Sequence, residues 1–226
     1  MGDFAFNPLT GEFQVADPSL QKAVKELQDE VFPLEITLAS NKTTLEYTGD
    51  EYAVTLTWTC KRKGVSMIPS YVKISNGSDV IYESSSLTKH TGTANTHVSK
   101  RGATTFTLTV TANGITKTRT VSVNLILPFY IGMAEENSLD GCGKYIVTSW
   151  SNKEFAINVA TADRYLTIAL PSPKSLSVLT SGGFAVPYVS STRNITIGGE
   201  SFVYNVYRSE SKVAQLGENK FNVTTK

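Results

Sequence analysis

The side chains able to do covalent or metal chemistry are few and dispersed. Cys60 and Cys142 stand 82 positions apart, a separation that predicts two free thiols rather than a disulfide framework. His90 and His97 are the only histidines, so no Cys/His spacing reaches the roughly four clustered ligands of a structural zinc site. Neither histidine lies in a nucleophile elbow or beside a serine that it would activate. Glycan hydrolysis would need two carboxylates flanking a cleft. The candidates Glu135, Glu136, Asp140, Glu154, Asp163 and Glu200 fall in expected loops or on the outward phase of strands, the ordinary place for solvated charge. Lys61-Arg62-Lys63-Gly64 is the one basic run, and it lacks the interleaved aromatics and companion clusters of a nucleic-acid site. Gly198-Gly199 reads as a hairpin turn rather than a phosphate cradle. The expectation is a non-enzymatic chain, with no catalytic, cofactor-binding or metal-binding residues and no nucleic-acid partner.

The elements that would carry these residues are written in the composition. The chain has 226 residues, 40% hydrophobic and 18% charged, with a net charge of +1. Its 28 Thr and 23 Ser stand beside 10 Tyr and 10 Phe but only 3 Met. Thr, Tyr, Phe and Val suit a pleated, half-buried surface, so the mixture predicts an all-β fold. The length allows one large β domain or two small ones. Met1 to Pro8 offers neither the basic nor the apolar region of a secretory signal, and Phe6 stands where myristoylation wants Ser or Thr. The longest apolar stretch, Val123 to Gly132, is broken by Asn124 and Pro128 and is too short to span a membrane. A soluble chain made in a cytoplasm is expected.

Charge and hydrophobic period divide the sequence into three segments. Residues 1–33 carry a net charge of −4, residues 34–127 +4 and residues 128–226 +1. The first segment opens with an aromatic arm, Phe4, Phe6, Leu9 and Phe13, around the turn chemistry of Asn7-Pro8 and Thr10-Gly11. It is too short to bury itself. Asp17-Pro18 then starts a helix, Asp as the cap and Pro in the first helical position. Leu20, Val24, Leu27 and Val31 follow at spacings of four, three and four, the rhythm of a coiled coil. An isolated helix of about 15 residues is marginal in water. The stripe must therefore dock on the following domain or on copies of itself.

From Leu34 the period becomes two. Ala53 to Cys60 alternates without a slip, placing Val54, Leu56, Trp58 and Cys60 on one face and three threonines on the other. Thr105 to Thr111 repeats the pattern, and Asn113-Gly114 signals a hairpin into Ile115 to Leu127. Weaker strands fit Glu35 to Leu38, Thr44 to Tyr47, Tyr71 to Ser75, Val80 to Glu83 and Thr96 to Lys100, which makes residues 34–127 an immunoglobulin-like sandwich by count and spacing. Residues 135–143 read as a hinge. A second small β domain, 128–226, takes strands near Lys144 to Thr148, Glu154 to Val159, Tyr165 to Leu170, Phe184 to Val189, Asn194 to Ile197, Phe202 to Arg208 and Lys220 to Thr224.

Several of these stretches together resemble the immunoglobulin-like modules of tailed-phage virion proteins, as in phages of gut Bacteroidetes. They are Leu56-Thr57-Trp58-Thr59, Thr105 to Val110, the join Leu127 to Gly132, Tyr165 to Pro171 with Lys174-Ser175-Leu176, Phe202 to Arg208, and the opening Phe6 to Phe13. The resemblance implies a structural component of a bacteriophage virion, a head fibre or capsid decoration protein, made in the host cytoplasm and released by lysis. Residues 1–33 would anchor it to other virion proteins of the capsid or tail, through Phe4, Phe6, Leu9 and Phe13. The stripe Leu20, Val24, Leu27 and Val31 would seed a homotrimer. The alternative is a tail-associated carbohydrate-binding adhesin, contacting a host surface glycan through exposed aromatics such as Tyr188, Tyr204 or Tyr207.

Overall fold

A computed structural model describes residues 4–7, 12–15, 18–31, 33–160, 163–213 and 216–226. In chain order the elements are β1 (Phe4–Asn7), β2 (Glu12–Val15), α1 (Pro18–Val31), β3 (Leu34–Ser40), β4 (Thr44–Glu46), β5 (Tyr52–Arg62), β6 (Val65–Ser66), β7 (Tyr71–Asn76), β8 (Asp79–Ser84), β9 (Thr91–Val98) and β10 (Gly102–Ala112). There follow β11 (Ile115–Ile126), β12 (Phe129–Ala134), β13 (Cys142–Tyr145), β14 (Lys153–Val159), β15 (Tyr165–Pro171), β16 (Leu176–Ser181), β17 (Phe184–Ala185), β18 (Tyr188–Ile197), β19 (Glu200–Ser209) and β20 (Gly217–Thr225). The fold is all-β apart from α1, among the described residues. No helix among them is long and apolar enough to cross a membrane.

Two compact units emerge, residues 1–41, 54–96 and 105–122 in one and residues 42–53, 97–104 and 123–226 in the other. These bounds differ from the expected segments 1–33, 34–127 and 128–226, although the sheets themselves draw their strands from β3–β11 and from β12–β20. Residues 1–33 fall within the first unit, while β4, the β9–β10 connection and the end of β11 fall within the second. One cause is a parallel pairing: Thr44 to Glu46 lie beside Asn124 to Ile126, and the chain then continues over the C-terminal strands.

In the first unit, β5 pairs β3 from Leu34↔Arg62 to Ser40↔Leu56 and also pairs β6 and β9. A second sheet runs β4-β11-β10-β7-β8. With β3, β5 and β9 as strands A, B and E, and β7, β10 and β11 as C, F and G, this is an immunoglobulin-like sandwich. Period-two alternation produces it. Val54, Leu56, Trp58 and Cys60 are buried on one sheet, and Val72, Ile74, Phe106, Leu108 and Val110 on the other. The outward threonines pair across strands: Thr37 with Thr59 at 2.7 Å, Thr105 with Ser122 at 2.9 Å, and Thr111 with Thr116 at 2.8 Å. The Asn113-Gly114 turn has both residues at positive φ, 50° and 75°, as a two-residue hairpin requires.

The second unit has sheets β13-β12-β15-β19-β18 and β14-β20-β16-β17. Their facing side chains form one core containing Phe129, Ile131, Leu166, Ile168, Leu170, Phe155, Leu179, Phe221 and Val223. Trp150 packs edge-on against Phe129 and Phe155 at 5.1 and 4.7 Å. The segment expected as a hinge is a hairpin connection, because β12 and β13 pair from Phe129↔Tyr145 to Gly132↔Cys142. β12 is buried at all six positions, and β15 at its five central ones. Their second face is therefore covered too. At one end, Tyr47 meets Phe202 edge-on at 5.8 Å, Lys144 Nζ lies 2.8 Å from Glu46, and the Gly49 and Gly198 backbones touch closely enough that a Cβ on either would fall 2.5 Å from the other's Cα. Elsewhere Gly141 lies on Gly132.

Two outcomes test this packing. A Cβ on Gly132 would sit 2.5 Å from the Gly141 carbonyl oxygen and 2.6 Å from the Cys142 Cα, both backbone, so Gly132→Ala should lower unfolding free energy by roughly 1–3 kcal/mol in urea titrations. Burial raises the phenol pKa of Tyr130 and Tyr204. An unfolded tyrosine ionises near about pH 10, so their contribution to stability is fully present below that pH and is lost as pH rises through the higher folded values. Denaturation midpoints should fall above about pH 10. Tyr204→Phe should lessen that fall while costing about 1 kcal/mol at neutral pH, since the Tyr204 hydroxyl donates to the Pro128 carbonyl at 3.1 Å.

Candidate functional site

The residues with catalytic potential are placed as ordinary surface groups. Glu135 pairs with Arg164 at 3.0 Å, Glu136 with Arg208 at 2.8 Å, Glu154 with Lys220 at 3.3 Å and Asp163 with Lys212 at 4.0 Å. Asp140 lies in the β12–β13 connection, and Glu200 opens β19 opposite Ile197. His90 precedes β9, where its carbonyl accepts the Cys60 amide, and His97 is exposed on β9. Lys61 to Gly64 form the β5–β6 hairpin, with Arg62 opposite Val65. No group of three or more His, Cys, Asp and Glu among the described residues is disposed to hold a metal ion.

The proposed anchoring and assembly residues lie in and before α1. Phe4, Phe6 and Phe13 belong to a β1–β2 hairpin with Phe6 opposite Phe13 and Phe4 opposite Val15. Leu9 lies outside the described residues. The helix begins at Pro18, as the Asp17-Pro18 pair predicts, and Leu20, Val24 and Leu27 along it are 39%, 40% and 60% exposed. Val31 ends the helix. Lys22 and Glu26 form an i,i+4 pair at 3.9 Å.

The three tyrosines suggested for glycan stacking do not make a platform. Tyr204 is fully buried, its ring 5.8 Å from Tyr130, because it lies on the covered face of β19. Tyr207, one strand phase away, is buried in the core. Tyr188 is 36% exposed and meets Tyr207 edge-on at 5.5 Å. The first two are thereby corrected from exposed contacts to packing residues.

What the strands do bring together is a polar cleft of about 510 Å³ on the outer face of β15, β19 and β18. Its floor comes from paired rows, Thr167 beside Arg208 beside Val189 and then Val206 beside Ser191, with Arg193 further along β18. Thr192, Asn137 and Ser138 complete the lining. Arg193 Nη1 donates to the Asn137 carbonyl at 2.7 Å, and the Arg208 guanidinium lies 4.3 Å over the Tyr165 ring while pairing with Glu136. Both arginines thus reach the same connection, residues 135–141. No motif marks these residues in sequence. The signal that locates them is the Gly198-Gly199 hairpin, which sets Ile197 opposite Glu200 and so fixes every pair on β18 and β19.

Next to this cleft, Cys142 Sγ donates to the Thr167 carbonyl at 3.8 Å. Both cysteines are free. Burial, with Asp140 nearby, pushes the Cys142 thiol up to about 12, and burial raises Cys60 as well.

No family model matches the chain, and no curated protein matches it. Two solved structures are similar in part. The S-layer protein SbsC, domains 5-6, shares 15% identity at a TM-score of 0.26, covering 85% of this chain and 91% of that one. Surface layer protein SbsC, domains 4-9, gives the same identity, TM-score and cover of this chain but 29% of that one. Likeness at this level defines no shared role.

The thiol chemistry is directly checkable. Only the thiolate reacts, so at about pH 8 both native cysteines should resist a disulfide-exchange reagent and both should titrate in denaturant. Native labelling of Cys142 at the rate of free cysteine would contradict its burial.

Proposed function

We propose that this chain is a non-enzymatic structural component of a phage virion, a head fibre or capsid decoration protein anchored by residues 1–33 and assembled as a homotrimer. The observation that carries the reading is the exposure of Leu20, Val24 and Leu27 on α1. Their four-and-three spacing is that of a coiled-coil seam, and a helix of this length gains most of its stability from packing that face. Copies of the same helix supply a partner with the matching period. The sandwich strands, with buried apolar phases and hydroxyl-bearing outer phases, suit a module displayed on a particle, and the resemblance of Leu56 to Thr59, Thr105 to Val110 and Tyr165 to Pro171 to phage immunoglobulin-like modules points the same way.

Sedimentation equilibrium at micromolar concentration should give three chains for the intact protein and one for Leu20→Asp/Leu27→Asp. A wild-type monomer with α1 intact by circular dichroism would sink self-assembly. Deleting residues 1–16 should leave a folded protein that no longer enters particles, and continued incorporation would remove the anchoring role.

A further inference from the structure

We infer that the cleft on β15, β19 and β18 binds a carboxylate-bearing saccharide, with Arg193 and Arg208 as the carboxylate ligands. The site is independent of the virion reading, since it stands on the C-terminal unit alone. Its volume of about 510 Å³ lies within the range of small-ligand pockets. Two guanidiniums project from the same sheet face on adjacent strands, Arg208 opposite Val189 and Arg193 four residues further along β18. At about 3.3 Å per residue their backbone origins lie roughly 13 Å apart along the strand, with Ser191 and Val206 between them.

Three features select the ligand class. No acidic side chain lines the cleft, and a guanidinium's planar fork of donors matches a carboxylate in two parallel bonds. The remaining polar lining is hydroxyl and amide, from Thr167, Ser191, Thr192, Ser138 and Asn137, groups that exchange hydrogen bonds with sugar hydroxyls. No aromatic ring lines the cleft, so stacking, the mode that would hold a neutral sugar, is missing. Charge selects the ligand instead. Arg208 is held ready by the Tyr165 ring and Glu136, which lowers the cost of ordering it on binding. A ligand carboxylate would share or displace Glu136 on that guanidinium. The competing account is that both arginines only fasten residues 135–141 to the sheet.

Titration calorimetry of the full chain with trigalacturonate, its methyl ester and maltotriose separates the two. Saturable binding of trigalacturonate is expected, with at least about tenfold weaker binding of either uncharged trisaccharide, equivalent to about 1.4 kcal/mol. Arg193→Ala, an exposed position, should weaken trigalacturonate at least about tenfold with an unchanged melting temperature. Arg119→Ala, an exposed arginine on β11 outside the cleft, should leave binding unaltered. The proposal is overturned by no saturable binding up to about 10 mM, a level at which even weak sites fill, by equal binding of the ester, or by inorganic phosphate competing as strongly as the uronate. Full binding by Arg193→Ala would also overturn it. Should that variant unfold, Arg193→Gln with Ser191→Ala gives the same reading, and retained affinity in both would be decisive against the site.

Discussion

The second unit depends on the burial of β12 and β15 on both faces. A strand with one wet face needs a single partner layer, but Phe129–Ala134 is buried throughout and so needs two. The inner layer is β14-β20-β16-β17. On the other face Gly141 lies against Gly132 and the Tyr130 ring meets Tyr204, while Tyr47 and Gly49 meet the β18–β19 end at Phe202 and Gly198. β4 stays in a sandwich sheet, pairing in parallel with the end of β11. The two-sided cover explains Tyr204, whose bulk fills the covered face and whose hydroxyl finds the Pro128 carbonyl, as a buried phenol must.

Most of the strands were legible because their period was. Val54, Leu56, Trp58 and Cys60 alternate with threonines, and the structure buries the first set. The Asn113-Gly114 and Gly198-Gly199 turns fall where their chemistry places them. Two stretches lacked such a period. Phe129 to Ala134 is a continuous apolar run, the mark of a strand covered on both faces, and without a period of its own it left residues 135–143 looking like a hinge. Leu176–Ser181, interrupted by its own bulge between Leu176 and Val178, has no clean alternation and went unseen. The close approach of Gly49 to Gly198 joins residues far apart in sequence and leaves no local trace.

The cleft was illegible for a related reason. Arg193 and Arg208 are separated in sequence by a hairpin and resemble ordinary outward charges. Only the register, 193 beside 204 and 189 beside 208, puts them on one face with Thr167. The three tyrosines were conspicuous for being aromatic, yet strand phase, not residue type, decides exposure: Tyr204 and Tyr207 point to opposite faces of β19 and both are buried.

The two arginines also connect stability with recognition. Arg208 meets Glu136 and Tyr165, Arg193 meets the Asn137 carbonyl, and Arg164 meets Glu135, so three guanidiniums hold the connection that covers Gly132. Partly exposed ion pairs of this kind contribute little individually; their effect is to fix where the connection lies. A guanidinium has five donors, and one carboxylate or carbonyl uses at most two of them in a fork. The same contacts that fasten the connection therefore leave each guanidinium with donor capacity beyond the partner it holds, and that surplus is what the proposed saccharide site would use.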